Sequence, residues 1–98
     1  MKYKVKFLDS EFKEFQKLTT TQQNQLKEDY LKIENVSMDA VLTKLLGDKI
    51  FEIKTSNLRT LFKYSENQII IIGVIFVKKT QRTPKEILKL AQKRLKGI

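Results

Sequence analysis

The first residues, MKYKVKFL, alternate: Tyr3, Val5 and Phe7 fall on one side, Lys2, Lys4 and Lys6 on the other. A period of two predicts a half-buried strand. From Asp9 or Ser10 the spacing lengthens, and Phe12, Phe15 and Leu18 line one side of a short helix ending near Thr19–Thr21. A threonine of that run is a suitable cap for a second helix, whose face is Leu26, Tyr30 and Ile33 with Leu31 alongside. The two helices are expected to form a hairpin. Residues 36–46 are ambiguous: Val41, Leu42, Leu45 and Leu46 suit a short helical turn that Gly47 would close.

Beyond Gly47 the strand-like spacing returns. KIFEIKTS (49–56), LRTLFKYS (58–65) and QIIIIGVIFVKK (68–79) predict a meander with turns near Ser56-Asn57 and Glu66-Asn67. The last of these is apolar on both faces, so it belongs inside the sheet, covered on one side by helices. In TPKEILKLAQKRLKGI, Thr83 is read as N-cap, Pro84 as N1 and Glu86 as the N3 partner of a capping box. Ile87, Ala91 and Leu95, with Leu90, supply the buried stripe of that last helix. The expected fold is one α+β domain over 1–98, in the order strand, two helices, three strands, helix. It has a twisted, antiparallel-rich sheet of about four strands, two amino-terminal helices on one face and a carboxyl-terminal helix.

A chain of 98 residues with 41% hydrophobic content supports one globular core. It contains no cysteine and no histidine, which excludes disulfides, thiolate chemistry, an imidazole base and a conventional structural zinc site. The amino terminus lacks the continuous apolar stretch of a secretory signal, and IIIIGVIFV (69–77) is too short to span a bilayer as a helix. A soluble, cytoplasmic protein with no membrane partner is expected. Twenty lysines and arginines against 11 acidic residues leave a net charge of +9, which points to a polyanionic partner, nucleic acid first.

Strand parity indicates where that charge gathers. A two-residue turn at Ser56-Asn57 sets Lys54 opposite Arg59 and sends Phe51, Ile53, Leu58 and Phe62 to the other face. A turn at Glu66-Asn67 sets Phe62 opposite Ile71 and Arg59 opposite Val74, so that Phe76 and Lys78 share the face of Lys54 and Arg59. Arg59 offers a planar fork for phosphate oxygens, and the lysines offer compact charges. Phe76 is open between stacking on a base and packing. Lys2, Lys4 and Lys6 are better read as solvated charges. Glu52, of the same parity as Lys54, is a structural partner for that charge or a minor proton acceptor. Glu28-Asp29 and Glu11/Glu14 are read as solvated or helix-pairing acids rather than metal ligands.

The run GDKIFEIKTSNLRTLFKYSENQIIIIGVIFVKKTQRTP resembles the RelE/HigB superfamily of bacterial type II toxins, specifically its phage-derived HigB-type branch. Glu52-Ile53-Lys54, Arg59, Phe76-Val77-Lys78-Lys79-Thr80, Thr83-Pro84 and Ala91/Arg94 carry the resemblance, which covers about residues 46–95. It implies a RelE-like fold and a ribosome-dependent mRNA endoribonuclease working without metal or other cofactor. It also implies a cognate antitoxin, a HigA-like helix-turn-helix protein, with messenger RNA and the ribosome as targets. By the same resemblance Arg59 would stabilise phosphorane-like charge and Lys54 would orient phosphate or transfer a proton. Lys78 and Lys79 would form a second cationic clamp and supply the general acid, while Phe76, Thr80 and Arg82 would hold flanking RNA. Many members have arginine at the position of Lys54, and some use a carboxyl-terminal histidine that this chain lacks. Two other readings compete: a ParE-like, non-enzymatic binder of DNA gyrase, and a non-catalytic RNA- or ribosome-binding module.

Overall fold

Alternation at the amino terminus does produce a strand in the computed structural model, which describes residues 1–79 and 83–98. Strand β1 (Lys4–Phe7) is followed by helices α1 (Asp9–Gln16) and α2 (Thr20–Asn35). Then come a single 3₁₀ turn (Met38–Ala40), strands β2 (Leu42–Gly47), β3 (Ile50–Thr55), β4 (Leu58–Ser65) and β5 (Ile69–Val77), and helix α3 (Lys85–Arg94). Thr19 caps α2 in a complete capping box: its hydroxyl accepts from Gln22 N at 3.1 Å, and Gln22 Oε1 accepts from Thr19 N at 3.0 Å.

The sheet has five strands in the order β1-β5-β4-β3-β2, not about four, and it is mixed because β1 runs parallel to β5. The additional strand is β2, where a helical turn is expected from Val41, Leu42, Leu45 and Leu46. The turn loses because Leu42 to Leu45 form a ladder with Lys54 to Phe51 of β3, and a short helix has no comparable set of backbone partners here. As an edge strand β2 leaves Leu42 and Leu45 exposed, and Gly47 enters the tight turn to β3 at φ 128°.

Helices cover both faces, so the apolar character of β5 on both sides has a direct cause. On one face Phe15 of α1 and Leu26, Tyr30 and Ile33 of α2 pack on Ile53, Leu58, Phe62, Ile70 and Ile72. On the other, Ala91 and Leu95 close over Ile50, Leu61 and Val74. Leu26, Ile33 and Phe62 are fully buried, each contributing about 1.5–3 kcal/mol of apolar transfer. Leu90 lies outside this contact, half-exposed, and Leu88 packs in its stead. Phe12 is also largely exposed, leaving Phe15 as the buried aromatic of α1.

Register in the β4–β5 hairpin departs from expectation twice. Its turn takes three residues, Glu66 to Gln68, so Phe62 pairs with Ile72 rather than Ile71. A bulge then leaves Gly73 unpaired, and Arg59 meets Phe76 rather than Val74. Each change alone would exchange the faces; together they restore parity.

At the bulge, a Cβ on Gly73 would sit 2.7 Å from Leu95 Cδ1 and 2.8 Å from its Cγ. Gly73→Ala should therefore destabilise by about 1–3 kcal/mol, read from the midpoint of denaturant unfolding. Beyond Ile72 the strand no longer has β1 beside it, and side chains satisfy its backbone. Gly73 O accepts from Arg94 Nη1 at 3.0 Å, and Ile75 N donates to Glu14 Oε1 at 3.2 Å. Arg94 Nη1 also lies 3.0 Å from Glu11 Oε1 and 3.0 Å from Glu14 Oε2. Glu11 is thus a fully buried acid paired to α3 rather than a solvated one. Burial pushes its carboxyl up from the usual range, against a backbone hydrogen bond and the Arg94 charge.

Candidate functional site: a cationic cleft on the α3 face

Strand parity on the face that α3 partly covers gives β2 Leu42 and Lys44, β3 Glu52 and Lys54, β4 Arg59 and β5 Phe76. Toward Leu61 and Ile50 this face is closed by α3, but at the end near Arg59 it is open. There Leu42, Thr43, Lys44, Glu52, Lys54, Arg59 and Lys78 line a cleft of about 330 Å³. Four cations and one carboxylate share it, a balance that attracts anions.

Arg59 is the fixed point. Its side chain is almost wholly buried, and Nη1 donates to the Ser56 and Leu58 carbonyls, each at 2.8 Å. The hairpin turn at Ser56, φ 55°, is thereby tied to the guanidinium beneath it. Nε faces Glu52 Oε1 at 3.6 Å, beyond hydrogen-bond length, and has no hydrogen-bond partner among the described residues. Glu52 is itself buried and accepts from the Thr83 hydroxyl through Oε2 at 2.6 Å. Glu52 therefore partners Arg59, not Lys54.

The Thr83 contact corrects the expected capping box. Helix α3 starts at Lys85 with Pro84 as N-cap and no side-chain cap, because the Thr83 hydroxyl is turned to the Glu52 carboxylate.

The expected residues separate cleanly. Lys54, Arg59 and Lys78 come together as parity predicts, with Lys54 exposed and Lys78 half-buried. Lys79 is exposed just past the strand end and does not line the cleft. Phe76, cross-strand from Arg59, packs against the Ala91–Leu95 cluster. Thr80 and Arg82 lie outside the described residues. Lys2, Lys4 and Lys6 are exposed at the opposite end of the sheet from this cleft. Lys44 was missed by sequence reasoning; the signal was available only once 42–47 is read as a strand with the parity of Lys54.

Asp29 accepts from Thr55 Oγ1 at 2.6 Å, so it holds α2 to the sheet. Among the described residues there is no group of three or more His, Cys, Asp or Glu placed to hold a metal ion, and no helix long and apolar enough to cross a membrane.

The sequence matches the family described as phage derived protein Gp49-like (DUF891) over residues 13–96. Comparison with curated proteins finds no match. Among solved structures, a mutant of the E. coli toxin RelE in the free state aligns at TM-score 0.69 and 25% identity, covering 97% of this chain and 99% of that one. RelBE2, a toxin–antitoxin complex from Mycobacterium tuberculosis, aligns at TM-score 0.66 and 16% identity over 80% of this chain and 100% of that one. The archaeal RelE–RelB complex from Pyrococcus horikoshii gives TM-score 0.61 and 20% identity, covering 81% and 98% respectively.

Proposed function

The chain belongs to the phage-derived Gp49-like family within the RelE/HigB superfamily, and we propose that, as the toxin of a RelE-like toxin–antitoxin system, it cuts messenger RNA on the ribosome. The observation that carries this reading is the cleft in which Lys44, Lys54 and Arg59 of three adjacent strands converge with Lys78, just past the end of β5. Surface lysines kept for solubility alone need no such convergence around a buried arginine.

In the proposed reaction the ribose 2′-OH attacks the adjacent phosphorus; the new O2′–P bond forms as the P–O5′ bond breaks. The proton on O2′ passes to Lys54 or to solvent water, and another is delivered to the departing O5′. Arg59 stabilises the negative charge that builds on the equatorial oxygens. Lys54 orients the phosphate or moves a proton, and Lys78 with Lys79 clamps the strand and supplies the proton to O5′. Thr80 and Arg82 are assigned to flanking RNA, while Phe76 is taken up by packing against the Ala91–Leu95 cluster. A cognate antitoxin of the HigA-like helix-turn-helix kind holds the toxin inactive in this reading.

The test is controlled expression of the chain followed by mapping of messenger RNA ends. New 5′ ends within coding regions, appearing with growth arrest, support the nuclease. Arrest with intact messages favours a gyrase-binding mode instead. Lys44 refines the test: Lys44→Ala should weaken binding of single-stranded RNA a few-fold and lower the salt slope by about one. An unchanged slope would remove Lys44 from the RNA footprint.

A further inference from the structure

Thr83 has a hydroxyl that the fold does not use where sequence pattern places it. It leaves α3 without a side-chain cap and binds Glu52 Oε2 at 2.6 Å. The other oxygen of that carboxylate stands 3.6 Å from Arg59 Nε, close enough for charge attraction but too far for a hydrogen bond. Arg59 Nε is consequently a buried donor with no acceptor among the described residues. Burying a donor this way is unfavourable and persists where another group is restrained from meeting it. Glu52 is the nearby acceptor, and Thr83 is bonded to the carboxylate oxygen that Arg59 does not approach.

We propose that Thr83 is a positioning residue: its hydroxyl holds Glu52 back from Arg59, so that the charge of the Arg59 guanidinium, which lines the cleft, stays incompletely paired and draws a phosphate of the RNA. This rests on the reading of the cleft as an RNA site. Glu52 supplies enough negative charge to keep the guanidinium in place, while Thr83 stops it from completing the pair and competing with substrate. The phosphate in the cleft then meets an under-neutralised guanidinium already oriented by the Ser56 and Leu58 carbonyls.

The arrangement predicts effects of opposite sign at two touching residues. Thr83→Val keeps the shape and removes the tether, so Glu52 closes on Arg59 and binding weakens by roughly three- to tenfold. Thr83→Ser restores it. Glu52→Gln removes the competing charge and tightens binding by roughly twofold to fivefold. In the double variant the penalty of Thr83→Val disappears, a coupling that a double-mutant cycle reads directly.

The probe is a fluorescent single-stranded oligoribonucleotide made uncleavable by 2′-deoxy substitution, titrated by anisotropy at fixed salt, with thermal melts to confirm folding. Wild-type affinity in Thr83→Val, failure of serine to rescue, or weakened binding in a folded Glu52→Gln variant overturns the proposal. If Glu52→Gln does not fold, the Thr83 valine and serine pair decides alone. A wild-type chain that binds no RNA sinks the RNA-site reading, and the tether with it. A wild type that binds while both variants match it overturns the tether only.

Discussion

Arg59→Ala is expected to abolish messenger RNA cleavage, with a loss of about 10²–10³-fold or more in rate. The size follows from placement. The guanidinium is buried, oriented by two carbonyls at 2.8 Å and opens on a cleft shared with three lysines. A donor fixed before substrate arrives needs no reorganisation as charge develops, which is the condition for a large electrostatic effect. Alanine also strands the buried Glu52 carboxylate without its cation, so the variant must be checked by thermal melting. Arg59→Lys serves as a second probe: it keeps the charge but loses the fork, and should restore only a small part of the rate. The measurement is end-mapping after induction. Full cleavage by a folded alanine variant would remove Arg59 from the chemistry, and growth arrest without cleavage in both proteins would point to the gyrase-binding alternative.

Arg94→Ala is expected to cost about 3 kcal/mol, lowering the melting temperature by about 12–24 °C for a chain of this size. One nitrogen of Arg94 serves Glu11, Glu14 and the Gly73 carbonyl together. Without it a fully buried acid loses its counter-charge and a bulge carbonyl loses its donor. The loss should depend on pH. Burial raises the folded-state pKa of Glu11 above the 4.5 of the free side chain, so its contribution is fully present below that value. It is lost as pH rises through the folded pKa. Removing the arginine raises that folded value further, so the deficit of the alanine variant should grow from acid toward neutral pH. Denaturant unfolding at pH 4 and pH 7 reads this, and an equal deficit at both values would refute it.

Sequence carried the fold wherever one face of an element dominates. Leu26, Tyr30 and Ile33 announced α2, and Thr19 announced its start. The failures share a cause: tertiary partners that local pattern does not encode. Val41 to Leu46 have a spacing that both a helical turn and a strand accept, and only the free edge of β3 decides between them. With that strand missing, Lys44 was missed too. Thr83 carries a strong capping signature, yet a buried carboxylate 31 residues away is a better partner than the helix end. Strand β5 shows parity surviving a wrong register: the longer turn and the Gly73 bulge each shift it by one, leaving Lys78 at the cleft that Lys54 and Arg59 face. Lys54, Arg59 and Lys78 were legible because alternation is insensitive to even shifts. Glu11 was not, since nothing local distinguishes a buried helical glutamate from a solvated one.

The parallel pairing of β1 with β5 also sets a timetable. Lys4 to Phe7 must wait for Ile69 to Ile72, so β1 joins the strand farthest from it along the sequence. Closing so long a loop slows folding and delays it until β5 exists. Lys78 follows directly after the same strand, so the cationic cleft is assembled only once β5 has been made. A nascent chain still short of that strand therefore lacks a complete site while it is tethered to the ribosome that is making it.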